Sequence, residues 1–81
     1  MGQQLTQILE QTFHGMDVKL DEPSSGRIHG SVIWDGFDDK DMGERQELVR
    51  TALREALGAQ FREVGILLTY TPREMAAMQA A

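Results

Sequence analysis

The sequence predicts a two-layer α+β sandwich in the order α-β-β-α-β-α, a three-stranded sheet with its helices on one face. Three observations carry that prediction. Apolar residues recur at helical spacing in two segments, 3–13 and 44–57, and alternate strictly with polar ones over 16–21. A Thr-Pro-x-Glu word at Thr71 marks a helix start directly after a short apolar run suited to a strand. With 81 residues and no linker, repeat or low-complexity stretch, the chain reads as one domain, 1–81.

Taken in order, Leu5, Ile8, Leu9 and Phe13 line one face of a first helix, and Gly15 stands where a helix ends in the left-handed conformation. Met16, Val18 and Leu20 alternate with Asp17, Lys19 and Asp21, as in a strand with one buried face. Turn formers from Asp21 to Gly26 interrupt it. A second strand from Ile28 to Trp34 should then pair antiparallel with the first. Ile28, Val32 and Trp34 share its inner face, and Gly30 between them leaves a gap for a neighbouring helix. His29, Ser31 and Ile33 take the other face.

Residues 35–40 form a connection, after which Asp41 and Glu44 have capping-box spacing. Leu48, Val49, Ala52, Leu53, Ala56 and Leu57 make the best-defined helical stripe, closed by Gly58. Val64–Tyr70 is apolar enough for a strand buried on both faces, or end-on in the sheet, reached by a crossover. Thr71 as cap, Pro72 and Glu74 then open a short last helix through Met75, Ala76 and Met78.

Composition narrows the function. The absence of cysteine excludes disulfides, thiol nucleophiles, and zinc or iron–sulfur sites built from the chain's own thiolates. Thirteen acids against eight bases give a net charge of −5, which opposes electrostatic binding of nucleic acid. No apolar run approaches the roughly 20 residues of a membrane span, and residues 1–10 have neither the basic start nor the apolar block of a secretory signal. A soluble, cytoplasmic protein is expected.

Candidate chemistry is sparse. The acids Asp35, Asp38, Asp39, Asp41, Glu44 and Glu47 are the densest charge feature. Phe37 occupies a position where a calcium loop needs a ligand, so they read as a solvated loop and a helix start favoured by its dipole. His14 and His29 are the only histidines, at no metal-binding spacing, and His29 is only a remote metal candidate. Nothing assembles a nucleophile, a base and an oxyanion site, so no catalytic residue is assigned and the chain is not expected to be an enzyme. Arg50 and Arg54 stand on one helix face, Arg54 within reach of nearby acids and Arg50 of Glu47 or Glu44. Met42, Met75 and Met78 suit core filling or an adaptable interface.

Three words in register across some fifty residues resemble the BolA-like family, the stress-induced morphogens. Val32-Ile33-Trp34-Asp35-Gly36-Phe37 is similar to that family's hydrophobic-hydrophobic-Ser-Asp-x-Phe strand end, with Trp34 in place of Ser. Arg45-Gln46-Glu47-Leu48-Val49 stands at its Arg-His-x-x-Val word, and Thr71-Pro72-Arg73-Glu74-Met75 at its Thr-Pro-x-Glu-Trp helix start.

The resemblance implies a fold related to the type II KH arrangement. It also implies a part in iron–sulfur or iron homeostasis as a partner of a monothiol glutaredoxin, with a histidine lent to a shared iron–sulfur cluster. Some members are DNA-binding regulators. Here the lending position is Gln46, and the 21–26 loop, source of a second ligand, has neither Cys nor His. Arg27 aligns with a family histidine near the second strand, and His29 follows two residues later on the same face.

The expectation is a non-catalytic interaction or regulatory protein that binds no cofactor alone, with partner-binding residues Arg27, His29, Arg45 and Gln46. The alternative is a KH-like nucleic-acid-binding transcriptional regulator using Arg50, Arg54 and Arg62, although the KH Gly-x-x-Gly word is absent.

Overall fold

The computed structural model describes residues 2–21 and 26–80. Helix α1 (Gly2–Thr12) leads to β1 (Asp17–Asp21) and β2 (Ile28–Ile33). A 3-10 turn at Asp35–Phe37 precedes α2 (Met42–Leu57), and a second 3-10 stretch (Gly58–Glu63) precedes β3 (Val64–Tyr70) and α3 (Pro72–Ala80). The α-β-β-α-β-α order is as the periodicities predict. The sheet runs β1-β2-β3, with β1 antiparallel and β3 parallel to β2. A parallel neighbour requires a crossover, and α2 supplies it. The turn expected over 21–26 falls largely on residues 22–25, outside the described ones. No helix among the described residues is long and apolar enough to cross a membrane.

The core lies between the sheet and the α1–α2 layer. Leu5 and Leu9 of α1, Val49, Leu53 and Leu57 of α2, and Ile28, Val32, Val64 and Leu67 of the sheet are buried together with Phe13, Met16 and Phe37. Both helix starts close as their sequence words require. Asp41 accepts the Glu44 amide while Glu44 accepts the Asp41 amide, at 2.8 and 3.0 Å. Thr71 and Glu74 make the same reciprocal pair at 3.0 and 3.1 Å. Gly15 has φ +88°, a backbone state that β-carbon sterics make costly for other residues.

Four expectations change. β3 is an edge strand buried on one face only: Ile66 is 66% and Leu68 49% exposed, because α2 covers the inner face and nothing among the described residues covers the outer. The space at Gly30 is taken by β1 and not by a helix, since a β-carbon there would strike the Lys19 carbonyl and the Leu20 backbone. Phe37, read as part of a connection, is fully buried because the 3-10 turn swings it under the Arg45 guanidinium, 5.7 Å from the ring centroid. Arg50 and Arg54 pair with no acid among the described residues. Instead they stand over the Phe61 ring at 5.1 and 5.2 Å, a cation–π arrangement made possible by the 3-10 stretch that folds Phe61 back onto α2.

Trp34, at the serine position of the strand-end word, has its own structural account. Its ring packs between Phe13 and Phe37, with centroids 5.2 and 5.3 Å away, and its indole N–H donates to the His14 carbonyl at 2.9 Å. Gly36 is the complement, because a β-carbon there would overlap the indole. Trp34 thus ties the turn after α1 to the connection entering α2.

Candidate partner-binding face

The strand β3 is held from both sides by side chains that the sequence singled out. Ile28 and Gly30 of β2 lie two residues apart, but their partners Val64 and Leu67 lie three apart, so β3 carries one extra residue as a bulge. The imidazole of His29 fills the irregularity, its Nδ1 accepting the Ile66 amide at 2.8 Å. Gly65 makes room, since a β-carbon there would collide with the ring. A neutral imidazole that accepts through Nδ1 carries its proton on Nε2. Neither nitrogen then offers a free lone pair to a metal.

On the opposite side, the first turns of α2 reach the outer edge of β3. The Tyr70 carbonyl points inward and accepts the Trp34 amide at 2.9 Å. Strand alternation therefore turns the Thr69 and Leu67 carbonyls outward. Gln46 donates to the Leu67 carbonyl at 2.7 Å, and Arg45 approaches the Thr69 carbonyl at 3.5 Å. An open edge is an aggregation template, and these two side chains close part of it.

Arg45 does more than cover the edge. Its Nε donates to the Lys40 carbonyl at 3.0 Å, and its two terminal nitrogens donate to the two Glu74 oxygens at 2.7 and 3.1 Å. The residue is only 6% exposed, so its charge is satisfied by this fork geometry and not by solvent. The hydrogen bonds from Arg45, and then from the Thr71 amide, hold the Glu74 carboxyl down at about 2. The same bond pushes the Arg45 guanidinium pKa upward.

The outer sheet face is different in kind. Cross-strand pairing sets Asp21 opposite His29 and Lys19 opposite Ser31, and the parallel pairing sets Ser31 beside Leu68. Asp21, His29, Ser31, Ile66 and Leu68 line a shallow groove of about 410 Å³. Two exposed branched aliphatics flanked by polar groups form a small apolar patch with a polar rim. Ile33, on the same face, is buried between its register partners Asp17 and Tyr70.

Of the sequence-chosen residues, His29 therefore belongs to the open face. Arg45 and Gln46 lie on the α2 side of β3, and exposed Arg27 stands just before β2. The structure brings Arg45 and Gln46 together and separates them from His29 by the strand. Arg50 and Arg54 gather at Phe61, and Arg62 is exposed in the same 3-10 stretch. No group of three His, Asp or Glu side chains able to hold a metal occurs among the described residues. Sequence reading missed Ile66 and Leu68 as surface residues because 64–70 is apolar almost without interruption, which erases the period of two. It missed the Arg45–Glu74 pair because the partners lie 29 residues apart.

No protein-family model matches the sequence, and no curated protein matches it. Solved structures do. The chain superposes on BolA1 from Arabidopsis thaliana with a TM-score of 0.69 at 18% identity, covering 89% of this chain and 92% of that one. It superposes on the BolA domain of SufE1 from Arabidopsis thaliana with a TM-score of 0.64 at 17% identity, over 90% and 93% of the two chains. A bol-like protein from Babesia bovis gives 0.61 at 19% identity, over 93% and 88%. The fold is BolA-like.

Proposed function

We propose that the chain is a divergent BolA-like interaction protein, not an enzyme, that binds a monothiol glutaredoxin through the outer face of its sheet without lending a ligand to a shared cluster. The observation that carries this reading is the uncovered sheet face, with Ile66 and Leu68 exposed beside His29 and Ser31. An exposed apolar patch on a small domain is a surface that association would bury.

The donor set does not fit a cluster. An amide is a poor iron ligand beside imidazole or thiolate. The Gln46 amide is moreover engaged at the Leu67 carbonyl, and His29 has its Nδ1 lone pair committed to Ile66. A nucleic-acid role through Arg50, Arg54 and Arg62 gains nothing from the geometry, since the first two guanidinium groups lie on Phe61.

Gel filtration of the chain with a cluster-loaded monothiol glutaredoxin, monitored in the visible range, tests the proposal. A co-eluting complex with an unchanged cluster spectrum is expected, lost in the double variant Ile66→Asp, Leu68→Lys. A complex whose spectrum shifts would overturn the ligand statement, and no complex would overturn the glutaredoxin partner.

A further inference from the structure

On the helix layer, away from the sheet face, a groove of about 660 Å³ runs between the end of α1 and the outer side of α2. Phe13, Leu48 and Ala52 supply its apolar lining, and Glu44, Glu47 and Glu55 stand along it. Val49, Leu53 and Leu57 of α2 are buried inward, while Leu48 and Ala52 pack against the rim of the core, only partly buried, and show their outer sides in the groove. From Glu44 to Glu55 the lining follows one helix face over twelve residues, a rise of about 16 Å at 1.5 Å per residue. That is the length of three helical turns.

The charge is one-sided. None of Glu44, Glu47 and Glu55 is in an ion pair among the described residues. The one cation on the groove among the described residues, Lys40, is held by Asp39 at 3.2 Å. Each of the first two acids keeps an oxygen free: Glu44 uses Oε1 in the capping box, and Glu47 uses Oε1 to accept the Thr51 hydroxyl at 3.3 Å.

We propose that this groove binds a basic amphipathic helix of about three turns from a protein partner, its apolar residues on Leu48 and Ala52 and its Lys or Arg side chains on Glu44, Glu47 and Glu55. Helix-in-groove recognition pairs apolar anchors, here on Phe13, Leu48 and Ala52, with complementary charge along the groove that fixes which helix enters. Nucleic acid is repelled by the same carboxylates. A second copy brings a net charge of −5 against them, and its least packed helix, α3, carries Arg73 as its one basic residue.

The test uses a 14-residue helical peptide with Leu at i, i+3, i+4 and i+7 and Lys at the remaining positions, and a comparator with Glu replacing every Lys. The single tryptophan, Trp34, reports occupancy because its ring contacts Phe13 on the groove. The Lys peptide should change Trp34 emission saturably while the Glu peptide does not. The double variant Glu47→Lys, Glu55→Lys, both positions exposed, should raise Kd at least tenfold. Amide shift changes in the wild-type protein should follow α2 and the end of α1. Equal binding of both peptides, an unchanged Kd in the variant, no saturable response, or shifts confined to the outer sheet face would each overturn the proposal. A concentration-dependent dimer abolished by Leu48→Asn would overturn it in favour of self-association.

Discussion

Arg45 and Glu74, 29 residues apart, meet as a two-pronged ion pair that joins the first turn of α2 to the first turn of α3. Glu74 also completes the cap of its own helix with Thr71. One carboxylate thus serves a local and a long-range purpose at once.

That double duty has a pH signature. Glu74 titrates at about 2 in the folded chain, below its ordinary value near 4.5. A carboxylate lowered on folding contributes stability that is complete above the ordinary value and is lost as pH falls from about 4.5 towards 2. Glu74→Gln mimics the protonated acid. Thermal melts should therefore show the variant below the wild type in Tm at pH 6, with the gap closing as pH approaches 2. A gap that stays constant across that range would refute the assignment.

Removing the His29 imidazole strips the Ile66 amide of its acceptor. His29→Ala should cost about 1 kcal/mol, the usual net worth of one hydrogen bond. It should also speed hydrogen exchange at Ile66 more than at Thr69. His14→Ala, whose backbone carbonyl and not its ring meets Trp34, should leave Tm unchanged.

Trp34 and Gly36 form a size-matched pair. Gly36→Ala pushes a methyl into the indole, and overpacking of this kind costs about 1–3 kcal/mol. Urea unfolding followed by Trp34 emission should show the lowered midpoint together with an altered native-state spectrum.

Phe37 is the largest fully buried side chain among the described residues. Phe37→Ala should destabilise by about 3–5 kcal/mol. For a domain of this size, at roughly 0.05–0.15 kcal/mol per residue, that is a large share of the total. Circular dichroism melts measure it directly.

The Gln46 amide closes part of the β3 edge. Gln46→Ala should cost about 1 kcal/mol and raise the tendency to aggregate, read by light scattering on prolonged incubation.

How much of this was legible in the sequence follows from how local each signal is. Helical and strand periods, both capping words and the left-handed Gly15 are set by neighbours within a few residues, so the α-β-β-α-β-α order could be read directly. The three BolA-like words pointed to the fold that the structural neighbours share. Composition alone removed thiol chemistry.

What the tertiary structure decided were contacts between distant segments. That β3 is an edge with one bare face depends on strand order, which an uninterrupted apolar run cannot encode. That Arg45, Gln46 and His29 bond to Glu74 and to the backbone of β3 depends on where the crossover sets α2 against that strand. The sequence offered these three, with Arg27, as partner-binding residues; the fold adds internal bonds for Arg45, Gln46 and His29 and leaves Ile66 and Leu68 exposed. The physical reason is the same in each case. Buried or half-buried polar groups and bulged backbone amides must find partners, and the nearest ones in space were far away along the chain.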